Sequence, residues 1–200
     1  MSIESFYSFG STFSRQPVSI KNDKLNWDRY CELVIGNYNN ITLPVTFKQT
    51  SGKRWSDLLP HPSVSVCIIS KKFYKILEEK SVTGLRTFPV CIIDKQERDI
   101  NDYIGISIIG KCGKIDYSKS EVYEKQYVPE GPMIKHYKGM HIGLDTWDGS
   151  DFFIPVGTLS IIVTERVKSL IKINKISNIS LKNILDIEKP EYALPKTSKF

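Results

Sequence analysis

Apolar positions along the chain shift from strand spacing to helix spacing and back, and they do so twice. Cys67, Ile68 and Ile69 form one short apolar run; Ile161, Ile162 and Val163 form another. Each ends in a hydroxyl residue, Ser70 or Thr164. A run this short and this rich in β-branched side chains fits a buried strand better than a helix. Ser70 and Thr164 then stand where an N-cap oxygen can accept from the free N–H groups of a first helical turn. Behind them, Phe73, Ile76 and Leu77, or Val167, Leu170 and Ile171, recur at the three-and-four spacing of a helix lying on a sheet. Gly84 and Asn178 follow the helix ends, where a left-handed backbone is readily accommodated. A further apolar run comes next, residues 85–93 or 179–187. Each segment reads as strand, capped helix, strand.

The two segments, residues 56–90 and 150–184, align without a gap at an offset of 94 (151 − 57). Few identities survive, so the match rests on chemistry. Ser56-Asp57 falls on Ser150-Asp151, and Leu58-Leu59 falls on Phe152-Phe153. A unit of this kind cannot bury its own apolar face, so two copies are expected to share one core. The expected fold is therefore α+β, a single domain built on a duplicated strand-helix-strand unit, with the copies superposing. Helices should begin just after Ser70 and Thr164, with Ile76, Leu77, Leu170 and Ile171 buried. The expected division is 1–54 as an N-terminal arm and leading strand, 55–187 as the duplicated domain, and 188–200 as a flexible tail.

The remaining pattern is less regular. Residues 1–24 are polar with Phe6, Tyr7, Phe9 and Phe13 at no clean period, which leaves a packed arm and a loose lead-in both open. Residues 25–35 mix helical and strand spacing. Residues 41–47 read as a strand, placed at an edge or bulge by Pro44. Residues 102–109 read as another, and Gly105 inside it implies a bulge or a close backbone neighbour. Residues 128–149 hold Pro129, Gly131, Pro132, Gly139, Gly143 and Gly149 and are expected to form a long loop, the kind that often carries function.

Composition narrows the class without naming it. At 40% hydrophobic and 25% charged, the chain is ordinary for a soluble globular protein. The formal charge is +6, with a pI near 9.0, and the lysines are scattered, as on a solvated surface. Nucleic acid is therefore not an expected partner. Glu4 and the early serines break any N-terminal signal pattern, and no apolar run approaches the roughly 20 residues of a membrane span. A cytoplasmic protein with no membrane partner is expected. Cys31, Cys67, Cys91 and Cys112 lack paired spacing; with Cys67 and Cys91 inside expected buried strands, they read as reduced thiols.

The residues able to do chemistry are His61, His136, His141, Asp145, Asp148 and Cys112. No two histidines have the i, i+4 spacing of helical metal ligands, and neither a metal nor a cofactor is expected. Gly110-Lys111-Cys112-Gly113 lacks the length and the terminal Lys-Ser/Thr of a phosphate loop. A small hydrolase or transferase using the His, Asp and Cys residues of the central loop is the alternative to a binding protein. Residues 144–153 are the sharpest local cluster, with Asp145, Trp147 and Asp148 around Gly149. One reading is a glycine turn whose side chains cap backbone amides on the way into a strand. The other is an aromatic anchor among carboxylates, as interface hot spots favour. On that second reading Tyr137, His141, Asp145, Trp147 and Asp148 form a candidate partner-binding set. The run Trp55-Ser56-Asp57 in the first copy favours the structural reading, because duplicated positions more often serve a shared fold.

These residues also carry a resemblance. The features are Trp55 before Ser56-Asp57, the strand ends Ile69-Ser70-Lys71-Lys72 and Val163-Thr164-Glu165-Arg166, and a strand followed by Ile115, Asp116 and Ser120. Over residues 55–185 the sequence resembles the immunity-protein families of bacterial polymorphic toxin systems, chiefly family forty-three, with family eleven as a relative. The first 50 residues are largely unmatched. The resemblance implies a small cytoplasmic α+β protein that binds and neutralises a cognate toxin, with no catalytic residues to transfer. Charge adds that a +6 protein is better suited to a partner with an acidic or neutral face than to a basic nuclease.

Overall fold

A computed structural model describes residues 2–12, 16–61, 66–126 and 128–194. In chain order the first elements are β1 (Phe6–Ser11), β2 (Ser19–Lys21), α1 (Trp27–Val34), β3 (Val45–Ser51) and β4 (Leu58–Leu59). Then come β5 (Cys67–Ser70), α2 (Lys71–Glu79), β6 (Leu85–Phe88), β7 (Val90–Ile93), β8 (Asp99–Ile100) and β9 (Tyr103–Ile108). The last are β10 (Gly110–Cys112), β11 (Glu121–Gln126), β12 (Met133–Lys138), β13 (Phe152–Pro155), β14 (Ile162–Thr164), α3 (Glu165–Ile173), β15 (Ile179–Asn183) and β16 (Glu188–Pro190). The fold is α+β. Its strands form four sheets, in the orders β4-β5-β9-β6, β10-β13-β14-β1-β15, β2-β3-β7-β8 and β11-β12-β16.

The first two sheets have matching geometry. Helices α2 and α3 start and stop 94 residues apart. Leu58 pairs with Ile69 and Leu59 with Ile68; Phe152 pairs with Val163 and Phe153 with Ile162. The middle strand makes the match less local. In the first sheet β9 lies between β5 and β6, with Ser70 opposite Tyr103 and Leu85 opposite Ile108. In the second, β1 takes that place, with Thr164 opposite Phe6 and Ile179 opposite Ser11. Thus β1 precedes the first unit but completes the second, while β9 precedes the second unit and completes the first.

Local chemistry explains the helix starts. Ser70 accepts from the Phe73 N–H at 3.1 Å and donates to the Asp57 carboxylate at 2.7 Å. Thr164 makes no side-chain cap; its hydroxyl donates to Asp151 at 3.0 Å, so only the carboxylate contact is common to both units. Leu77 and Ile171 are buried as expected, whereas Ile76 and Leu170 are only half-buried at the edges of their helix faces. Gly84 and Asn178 both have positive φ, at 85° and 62°. A Cβ on Gly84 would lie 1.9 Å from the Phe152 carbonyl; Asn178 instead donates from its amide to the Leu58 carbonyl at 2.7 Å.

Asp57 and Asp151 also cross between units. The second oxygen of Asp57 accepts from the Ser177 N–H at 2.8 Å and hydroxyl at 2.7 Å. That of Asp151 accepts from the Thr83 N–H at 3.1 Å and hydroxyl at 3.4 Å. Return bonds run from the Asp57 N–H to Ser177 Oγ and from the Asp151 N–H to Thr83 Oγ1. One apolar cluster spans both units, taking in Ile68, Phe73 and Leu77 with Phe152, Val163, Val167 and Ile171. A second lies on the other face of the five-stranded sheet around Phe6, Phe153 and Ile162.

Several sequence expectations are corrected. Residues 6–11 are not part of an arm but a central strand, with Phe6 and Phe9 buried. Phe13 lies outside the described residues. The run 85–93 divides at Pro89, which has no N–H for a ladder, into β6 and β7 of different sheets. The run 179–187 turns into a 3-10 segment at Ile184. Gly105 marks a close neighbour, since a Cβ there would sit 2.2 Å from the Phe88 ring. Residues 25–35 resolve into α1, and the strand expected at 41–47 starts only at Val45. Cys91 is half-exposed rather than buried. Of the expected tail, Glu188–Pro190 pairs with β12, and residues 195–200 lie outside the described part.

Ile68 and Ile162 are both fully buried. Ile68→Ala and Ile162→Ala should each lower stability by about 2–5 kcal/mol in urea unfolding. Burial pushes the Asp57 carboxyl up, but hydrogen bonds from Ser177 and Ser70 and the Lys72 charge outweigh it and hold the pKa below the usual value. A lowered folded pKa gives stability that is present above about pH 4 and lost as pH falls through the folded value. Asp57→Asn should cost about 1.5–3 kcal/mol at pH 7. It should also flatten the acid side of the stability–pH curve below about pH 4.

Candidate functional site

The candidate residues of 128–149 do not share one loop. Met133–Lys138 is strand β12, paired in register with β11 from Val122 opposite Tyr137 to Gln126 opposite Met133. Lysines in β12 and glutamates in β11 interrupt the apolar alternation because much of this sheet faces solvent, so the strand signal is weak. Tyr137 packs edge-on to Tyr117, with centroids 6.1 Å apart, and has the Lys135 ammonium 5.6 Å over its ring. His141 is half-buried, and its carbonyl accepts from the Asp116 N–H at 2.7 Å. Asp145 is exposed.

Trp147 and Asp148 build a turn. The indole ring stands edge-on to Phe6 at 5.1 Å and lies 5.8 Å from Phe153, while its N–H donates to the Ser150 carbonyl at 3.0 Å. Asp148 accepts from the Lys111 N–H at 2.7 Å and from the Ser150 N–H at 3.0 Å. Burial pushes its carboxyl up, but these donors and the Ser150 hydroxyl hold it below the usual range. Trp147 therefore closes the second apolar cluster, and the structural reading describes its surroundings. Among the described residues no hydrogen bond, ion pair or ring contact joins it to Tyr137. Two residues of the resemblance also serve local structure. Asp116 caps the turn at Tyr117–Lys119, and the buried Ser120 hydroxyl donates to the Gly139 carbonyl at 2.6 Å.

Burial disfavours the thiolate at Cys67 and at Cys112. Cys67 and His61 line one cleft of about 390 Å³. Burial raises the Cys67 thiol to about 12 and lowers the His61 imidazole to about 4, with the Lys21 charge adding to the latter. A thiolate–imidazolium pair needs the opposite displacements. Cys112 is likewise raised by burial, and its sulfur lies 3.7 Å from Thr146 Oγ1. Among the described residues no group of three His, Cys, Asp or Glu side chains is placed to hold a metal ion. Nor is any helix there long and apolar enough to cross a membrane.

The structure adds a cationic groove that scattered lysines concealed. Its cavity of about 840 Å³ lies between the turn after β3 and the β7–β8 hairpin. Lys53, Arg54, Lys95 and Arg98 line it, with Trp55 among them and Asp94 the one carboxylate. Gln49 braces the walls, donating to the Gly52 carbonyl at 2.8 Å and accepting from the Lys95 N–H at 3.2 Å. Lys53-Arg54-Trp55 is visible as a short run, but the parallel pairing of β3 with β7 is what brings the 94–98 turn beside it. Compared with known proteins, the sequence matches no protein-family model and no curated protein.

Trp147→Ala should destabilise the fold by about 3 kcal/mol, the low end for a large aromatic because the ring is only half-buried. A lowered folded pKa at His61 favours the neutral imidazole, so its stability is full above about pH 6.5 and lost as pH falls towards 4. Denaturation midpoints of His61→Gln across that window should be flatter than those of the unchanged protein.

Proposed function

We propose that this is an immunity protein, a cytoplasmic binder that neutralises a cognate bacterial toxin by covering it. The observation that carries the reading is the three-stranded sheet β11-β12-β16. On its hairpin Val122 and Met133 are 47% and 57% exposed, and Val128 at the connecting turn is 59% exposed. By register Val122, Met133 and Tyr137 share one face, among Glu124, Gln126 and Lys135. Exposed apolar side chains framed by charge on an ordered sheet are the composition of a polypeptide interface. Among the described residues no strand pairs with the outer edge of β11. The resemblance to immunity families gives the partner its class, and the sequence motifs that carry it stand without a matching family model. Of the candidate partner-binding residues, Tyr137 belongs to this face, while Trp147 packs against Phe6 and Phe153 in the second apolar cluster.

Occlusion requires no proton transfer. His61→Gln, His136→Gln and His141→Gln combined should leave protection of cells expressing the adjacently encoded toxin intact, provided circular dichroism shows the fold retained. Val122→Asp with Met133→Asp should abolish protection and weaken toxin binding by about 2 kcal/mol or more, as for interface hot spots. Loss of protection in the histidine variant with toxin binding unchanged would overturn occlusion in favour of chemistry.

A further inference from the structure

We infer that the groove bounded by Lys53, Arg54, Lys95 and Arg98 is a docking surface for an acidic segment of a protein partner. The inference rests on the reading of this chain as a polypeptide-binding inhibitor. Its first support is charge that the fold itself does not neutralise. Asp94 is committed internally: its carboxylate accepts from Arg98 Nε at 2.8 Å and from the Gln96 and Arg98 N–H groups at 2.8 and 2.9 Å. Among the described residues no ion pair holds Lys53, Arg54 or Lys95. Like charges gathered in one concave surface repel each other and focus the potential that an acidic segment would relieve.

The second support is that the groove is not demanded by the shared architecture of the two units. Positions the units have in common, Asp57 with Asp151 and Thr83 with Ser177, join them together. Trp55 has Gly149 at its counterpart position, so the second unit does without an indole there. Trp55 is half-buried with its ring 5.7 Å from Tyr103, which leaves an aromatic surface among cations. An Arg fork, two ammonium groups and side-chain amides match the scattered carboxylates and carbonyls of a polypeptide. Single-stranded nucleic acid calls for successive stacking rings along a basic track, whereas one indole lines this groove.

Fluorescein-labelled deca-glutamate tests the surface by anisotropy. The combined variant Lys53→Glu, Arg54→Glu, Lys95→Glu should bind it about tenfold more weakly, a loss of about 1.4 kcal/mol. A control with equal change of net charge, Lys114→Glu, Lys172→Glu, Lys182→Glu, should stay within about twofold, because none of these residues lines the groove and exposed charges are screened by salt. If the triple variant misfolds by circular dichroism, Lys53→Glu and Lys95→Glu alone, both at exposed positions, should each give about a threefold loss. Equal weakening in groove and control variants overturns the inference, as does failure of the unchanged protein to bind. Tighter binding of a ten-residue oligothymidylate than of deca-glutamate overturns it in favour of nucleic acid. The protection assay separates the two readings. Protection retained by the groove variant rejects the groove and leaves occlusion standing. Failure of the unchanged protein to protect rejects occlusion, while the anisotropy result still decides the groove.

Discussion

Two carboxylates hold the halves of this protein in register. Asp57 and Asp151 each take a hydroxyl from the strand end of their own unit and an N–H plus a hydroxyl from the other unit. A carboxylate partly removed from water is costly unless its lone pairs are filled, and here each is filled only when both units are present. The bond set is reciprocal, so loosening one crossing exposes groups that the other half also needs. Arg166 strengthens one crossing, reaching Asp151 at 2.9 Å and the Lys80 carbonyl. Beside Asp57 the Lys72 charge favours the ionised carboxylate, without an ion pair among the described residues. Side-chain substitutions within this set therefore act on the whole molecule rather than on one helix end.

Exchange of the middle strands extends the same dependence to the backbone. Strand β1 reaches across the sequence to pair Tyr7 with Val163, and β9 fills the matching place in the other sheet. Without β1, strands β14 and β15 would have no partner between them, and their N–H and C=O groups would lose a ladder on one side. Hydrogen bonds of such sequence separation are costly to nucleate, so closure of the five-stranded sheet is expected late in folding.

The strand-helix-strand units were legible because their signals are local: a β-branched run, a hydroxyl, apolar residues at three-and-four spacing, then Gly84 or Asn178. Their helix boundaries follow from those residues. Strand β1 was not legible, since Phe6, Tyr7 and Phe9 form a strand only against partners more than 150 residues away. The β11–β12 hairpin escaped because its faces carry charge instead of clean alternation, and the glycines around it read as loop. The cationic groove escaped for a third reason. Lys53-Arg54 and Lys95-Arg98 are ordinary surface residues in the sequence, and only the pairing of β3 with β7 makes them neighbours. Trp147 was legible as part of a glycine turn, and its contact with Phe6 was not.

Scaffold and surface are divided between the elements that the two strand-helix-strand units have in common and those outside them. The elements with counterparts in both units bury the crossed carboxylates and most of the shared core. Elements without one, the sheets β2-β3-β7-β8 and β11-β12-β16, carry the cationic groove and the exposed hairpin face. Close-packed cores tolerate little change in volume, whereas solvent-facing charges and apolar tips on well-paired strands can change at small cost to folding. A protein whose task is to fit one particular partner benefits from that separation, because affinity can be altered at Lys53, Lys95, Val122 or Met133 without disturbing Asp57 and Asp151. On the proposed reading, charge on one such surface and apolar area on the other would divide the work of binding. Unneutralised cations would raise the encounter rate and select an acidic face, and desolvated apolar contacts would slow release. Neither role asks for a reactive thiol or imidazole, which accords with Cys67 held protonated and His61 held neutral at pH 7.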